Sequence, residues 1–191
     1  MTDAPSPQSE TRWLKSYYTL RFLFSAAWAA GAFAVGGSGV PGIAAALLIA
    51  YPAWDALANY LDARRSGGFA RNRPQAANAA ISFATTVAVV LALGRSTDAV
   101  LAVFGIWAIV AGLLQLGAAV SRWKRSGAQW AMILSGAQSA LAGSFFVVKA
   151  KAGGAPALEM IAGYASIGAL YFFISAFWLF AGDRLRRHRH G

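Results

Sequence analysis

Apolar residues in this chain come in long blocks, and polar residues gather in the short intervals between them. No period-two alternation marks strands. A bilayer core about 30 Å thick is crossed by about 20 mostly apolar helical residues, and the blocks have that length. The pattern predicts spans at about Tyr17–Val35, Ile43–Ala63, Gln75–Leu93, Ala99–Val120, Gln129–Val148 and Ala157–Ala181. Gly, Pro and Ser punctuate the intervals: GGSGVPG after the first span, GRSTD after the third and a Gly-rich turn at Lys149–Pro156. In the third interval Thr97 or Asp98 is the expected helix cap. Pro52 lies inside the second span and is a candidate kink.

The intervals differ in charge. Arg12, Lys15 and Arg21 lie at the start of the first span. Arg64, Arg65, Arg71 and Arg73 follow the second, and Arg122, Lys124 and Arg125 follow the fourth. Arg184, Arg186, Arg187 and Arg189 close the chain. Fourteen basic residues thus fall on one side of the predicted membrane and three, Arg95, Lys149 and Lys151, on the other. Basic loops stay in the cytoplasm, so both termini are expected there. Trp13, Trp123 and Trp130 lie beside the basic segments, where interfacial Trp belongs. The expected organisation is a disordered cytoplasmic tail over 1–12, a six-helix transmembrane domain over 13–183 and a basic cytoplasmic tail over 184–191.

Ser25, Ser82 and Ser139 recur at intervals of 57 residues, at similar depths in the first, third and fifth spans. Arg65 and Arg122 recur at the same interval in the basic loops. The repeating unit is then one helical hairpin, present three times. The expected fold class is all-α: a polytopic membrane protein of six transmembrane helices in three repeated hairpins. Helices in lipid associate through close packing of small residues. Two rows in the fifth span, Ser135, Ser139, Gly143 and Gly136, Ala140, Ser144, suit that role, with Ala108 and Gly112 in the fourth and Ala27 and Gly31 in the first.

Composition narrows the field. Of the 191 residues 58% are hydrophobic and 13% charged, against about 25% charged in soluble domains. The net charge of +10 follows from the positive-inside rule, without a nucleic-acid partner. With no Cys there is no disulfide, thiolate metal site or Cys nucleophile, and the two His lie in the last four residues. No catalytic, cofactor or metal site is expected.

Between Val100 and Val148 the chain reads FGIWAIVAGLLQL, then RWKRSGAQW, then ILSGAQSALAGSFF. This hairpin resembles the HdeD-like short-repeat membrane family, domain of unknown function 308. That family pairs an aromatic-rich span holding a central Gly with a basic loop, a Trp and a span with spaced small residues, here Gly136, Ala140 and Gly143. The first hairpin departs most, with Tyr51, Pro52, Trp54 and Asp55 where the second has Trp107 and Gly112. The resemblance implies a multi-pass protein of the bacterial inner membrane, non-enzymatic, with a role in acid or stress tolerance. It brings no site residues.

One stretch breaks the apolar rule. Asp55, Asn59 and Asp62 lie at i, i+4 and i+7, on one face of the second span. Asp62, close to the cytoplasmic end, is expected to be solvated. Asp55 is deeper, about 12 Å along the helix from that end, and a carboxylate there requires a partner, a proton or water. Arg21 enters from the same side as its natural partner. The candidate intramembrane polar site is therefore Arg21, Asp55 and Asn59. One reading is a structural pair that fixes the first hairpin. The alternative is a small proton- or ion-coupled transporter or channel that uses the pair. Asn78, Gln115 and Gln138 are expected to bond between helices, Thr85 and Thr86 back to their own helix, and Glu159 to cap the sixth span or meet Lys149 or Lys151. Expected partners are the lipid bilayer, anionic lipids at the cytoplasmic face and, for transport, further copies of the chain.

Overall fold

The computed structural model describes residues 7–36, 41–65, 67–122 and 129–187. They form α1 (Pro7–Gly36), α2 (Pro41–Arg65), α3 (Arg73–Leu93), α4 (Thr97–Arg122), α5 (Gln129–Ala152) and α6 (Ala157–Arg187), all of them α-helices. Every one of the six contains a stretch long and apolar enough to cross a membrane. This is the make-up of a multi-pass membrane protein, since a helix alone satisfies its backbone groups in lipid.

The helices close into a ring. Each packs on its neighbours in chain order, and α6 returns to α1. The joints are unequal: α4 with α5, α1 with α6 and α2 with α3 are the most extensive. Inside the ring, Ala32, Val89, Val100, Leu101 and Ile161 are fully buried, and Trp28, Phe104, Trp107 and Phe146 are buried with them. Large apolar residues also cover the outside; Leu91, Leu141 and Trp178 are each about 70% exposed (68%, 72% and 68%). A surface of that kind suits lipid and not water.

The α4–α5 joint shows why small residues recur there. A Cβ added to Gly112 would lie 2.8 Å from the backbone nitrogen of Ala140, and one added to Gly136 would lie 2.8 Å from the carbonyl oxygen of Gly112. A Cβ on Gly105 would lie 2.8 Å from the carbonyl oxygen of Gly143. Two reciprocal glycine pairs, Gly112 with Gly136 and Gly105 with Gly143, thus bring the two backbones into contact. Ser139 adds a hydrogen bond across the joint, its hydroxyl donating to the carbonyl of Ala108 at 2.9 Å.

The helix ends follow local chemistry. Gly67 and Gly68 turn the chain after α2 with φ of 97° and 87°, values that favour glycine. The N–H of Gly68 closes α2 on the carbonyl of Ala63 at 2.9 Å, and Pro74 stands in the first turn of α3, where no N–H is needed. α4 is capped by Ser96, not by Thr97 or Asp98: its hydroxyl accepts from the N–H of Ala99 at 3.0 Å. Asp98 reaches instead to the α5–α6 turn, accepting from the N–H of Gly154 at 3.2 Å and of Ala155 at 3.4 Å. The carboxylate thereby ties together two turns that are 57 residues apart in sequence.

Other expectations shift. α1 begins at Pro7, inside the tail expected over 1–12, and α6 runs to Arg187, inside the tail expected over 184–191. α2 continues through Pro52 without a break. The side chain of Glu159 lies against Gly36 at the end of α1, while Lys149 sits over the ring of Phe145 at 5.5 Å. Trp123, Lys124 and Arg125 of the basic turn, Arg189, and the histidines His188 and His190 lie outside the described residues. So do the side chains of Arg122, Trp130, Arg184, Arg186 and Arg187.

Candidate functional site

α1 carries Arg21 about two turns beyond Trp13, and α2 carries Asp55 opposite it. The structure brings the two together: the guanidinium donates from Nη2 to Oδ1 of Asp55, and both side chains are about 85% buried (14% and 15% exposed). The second carboxylate oxygen, Oδ2, accepts from Asn59 Nδ2 at 2.9 Å and from Ser82 Oγ at 2.8 Å. Asp55 therefore receives three donors from three helices. Arg21 is held in turn by Tyr17, whose hydroxyl accepts from Nη1 at 2.9 Å. Its guanidinium also lies over the ring of Phe172 at 4.3 Å, which brings α6 into the group.

The spacing explains the arrangement. Tyr17 and Arg21 are one turn apart on α1, and Asp55 and Asn59 one turn apart on α2. Asn59 also donates to the backbone carbonyl of Asp55 at 2.9 Å, so its amide is fixed beside the carboxylate. All three residues singled out in the sequence, Arg21, Asp55 and Asn59, belong to one network.

Further members were not foreseen, Tyr17 and Phe172 beside Arg21 among them. Ser82 on α3 donates to Asp55 while accepting from the indole Nε1 of Trp107 at 3.0 Å, which carries the network to α4. In the sequence Ser82 stands out only as one of the repeating serines. All three of those serines are buried, and each bonds an aromatic residue on the next helix: Ser25 with Tyr51, Ser82 with Trp107, and Ser139 with Tyr164 at 2.8 Å. The spacing within each pair is 26, 25 and 25 residues.

Asp62 corrects an expectation. It is not solvated but 6% exposed, and it accepts from the indole Nε1 of Trp13 at 3.0 Å. Arg65 lies over the ring of Trp13 at 4.8 Å. This latch fastens the entry of α1 to the exit of α2.

Thr85 and Thr86 bond back to the carbonyls of Ile81 and Ser82 at 2.9 Å and 2.8 Å, as expected. Asn78 makes no bond between helices through its oxygen: among the described residues, its buried Oδ1 has no hydrogen-bond partner, and neither do Gln75 Oε1, Arg21 Nε and Trp54 Nε1. Trp54 is held instead by its ring, stacked on Phe24 at 4.5 Å.

The described residues include no group of three or more His, Asp or Glu able to hold a metal. An open apolar groove of about 490 Å³ lies elsewhere, on the outer seam between α1 (Ala26, Ala29, Ala30) and α6 (Ser166, Ala169, Leu170). Chemically, the Asp55 network is a charge pair in a low-dielectric setting, with the charge spread over amide, hydroxyl and phenol partners.

Neither the curated proteins nor the solved structures contain a match to the chain. The family model described as a short repeat of unknown function, DUF308, matches residues 77–148, so the stretch from α3 to α5 carries that repeat and agrees with the resemblance to the HdeD-like family.

Proposed function

We propose that this protein is a non-enzymatic integral membrane protein of the bacterial inner membrane, of the HdeD-like kind, with a protective role in acid or other stress. The observation that carries this reading is the saturation of Asp55 by Arg21, Asn59 and Ser82. A carboxylate so held acts as a brace between helices. Trp28, Tyr51, Phe104 and Trp107 fill the ring's interior beside it, with Tyr51 and Trp107 centroids 6.0 Å apart. That is a packed core and a poor conduit.

The fold is three copies of one hairpin unit with both termini in the cytoplasm. The serine–aromatic bond in each unit and the matching set of close joints support the repeat, and the fourteen-to-three division of basic residues supports the orientation. Anionic lipids contact the basic cytoplasmic face, with about 1 kcal/mol for each basic residue near the surface.

The competing reading is a small proton- or ion-coupled transporter working through Arg21 and Asp55. The unpartnered oxygens of Gln75 and Asn78 on the approach to Asp55 favour it. Flux in proteoliposomes separates the two, together with acid survival of a strain that lacks the gene. The protective reading expects survival restored by the wild-type chain, no flux under any gradient, and lower thermal stability in Asp55→Asn. Flux abolished by Asp55→Asn in a folded protein would establish transport instead.

A further inference from the structure

α2 and α3 are antiparallel neighbours, and the bond from Ser82 to Asp55 fixes their register. One turn from Ser82 toward the start of α3 is Asn78; one turn from Asp55 toward the end of α2 is Asn59. A further turn gives Gln75 on α3 and Asp62 on α2. Polar residues thus line both walls of the α2–α3 joint for about 10 Å, from the α2–α3 loop down to Asp55. The α2 wall is satisfied, with Asn59 and Asp62 both bonded. The α3 wall is not. Gln75 Oε1 and Asn78 Oδ1 are shielded and have no partner among the described residues, and Arg21 Nε, at the inner end, has none either.

Within a bilayer an orphaned polar group is costly, and buried polar groups are almost always paired with protein or ordered water. Two orphans on successive turns of one face, with a third at the end of the row, mark a water site better than a packing fault. Beyond Ser82 the polar row stops. Thr85 turns its hydroxyl to its own helix, and Val89 and Ala92 continue the buried face of α3 with apolar side chains.

We propose that a narrow water-filled crevice enters between α2 and α3 from the side of their connecting loop and ends at Asp55 and Arg21. Its ligand is a short file of water. It gives the carboxylate contact with one aqueous phase only. The charged and titratable groups along it are Asp62 at the mouth and Asp55, Arg21 and Tyr17 at the inner end. This inference rests on α3 crossing a membrane and is independent of the stress-related role.

The chain has no native cysteine, so single-cysteine variants give a clean test. Gln75→Cys, Asn78→Cys, Phe83→Cys and Val89→Cys are placed in oriented vesicles and treated on either side with a charged, membrane-impermeant thiol reagent. Phe83 is next to Ser82 in depth but faces outward, 66% exposed, and Val89 is buried beyond the polar row. The crevice predicts labelling of Gln75→Cys and Asn78→Cys from the α2–α3 loop side alone, at least about tenfold faster than the two controls. Labelling of Asn78→Cys no faster than that of Phe83→Cys overturns the crevice, and equal labelling from both sides overturns its closed end. Fast labelling of Phe83→Cys overturns the bilayer placement of α3 itself, and the crevice with it. If Asn78→Cys does not fold, Asn59→Cys on the facing wall reads the same depth with the same two outcomes.

Discussion

Trp107 and Asp55 share one hydroxyl: Ser82 Oγ accepts from the indole at 3.0 Å and donates to the carboxylate at 2.8 Å. The serine is 1% exposed. Ser82→Ala strands the indole N–H and removes one donor from Asp55. A lost bond that leaves a buried group unsatisfied costs about 1–3 kcal/mol. Thermal unfolding in detergent should show a loss of that order, and Trp fluorescence should report a changed setting for Trp107.

Arg21 and Asp55 should behave as a unit. Removing one charge leaves the other buried and unpaired, at a cost of about 3–5 kcal/mol. Asp55→Asn and Arg21→Gln are each expected to destabilise strongly. Their combination should cost less than the sum, because the second change removes the stranded charge. A double-mutant cycle in unfolding free energy checks this; strict additivity would show that the two do not interact.

Gly112 and Gly143 hold backbone contacts that no side chain can enter. A Cβ on Gly112 comes within 2.8 Å of the Ala140 nitrogen, and one on Gly143 within 2.7 Å of the Ile109 nitrogen. Gly112→Val and Gly143→Val must push α4 and α5 apart. Gly31→Ala is the control, since no atom lies within 4 Å of its added Cβ. Cysteine cross-linking between α4 and α5 should fall in the first two variants and stay unchanged in the third.

Asp98 joins two turns through the N–H groups of Gly154 and Ala155. Asp98→Ala frees one exposed and one half-buried donor, so the global cost is small, about 1 kcal/mol. The local effect is larger. Hydrogen exchange should rise at Gly154 and Ala155 with little change elsewhere in α4.

The spans were legible because membrane thickness imposes a block length that no other fold class needs. The Arg21–Asp55 pair was legible for a related reason: opposite charges at similar depth in adjacent spans have few other partners. The burial of Asp62 was not. It depends on Trp13, 49 residues away, reaching across from the helix entry. Nor did the sequence show that Ser82 joins Asp55 to Trp107, since a serine inside a span most often bonds its own helix, as Ser144, Ser166 and Ser175 do. The recurrence of Ser25, Ser82 and Ser139 marked the positions, while the aromatic partners lie on different helices and show only in three dimensions. The α1–α6 joint left no mark in the pattern, because packing between chain ends carries no local signal.

That joint bears on how the protein is made. A chain entering the bilayer span by span can form the α2–α3 and α4–α5 joints as each pair emerges. α1 precedes α2 to α5 in chain order, yet its main neighbour is α6, and the rings of Tyr18 and Phe172 stack across their joint at 6.4 Å. The small-residue face of α1 must therefore wait in lipid until α6 arrives, so the α1–α6 joint closes after the α2–α3 and α4–α5 joints.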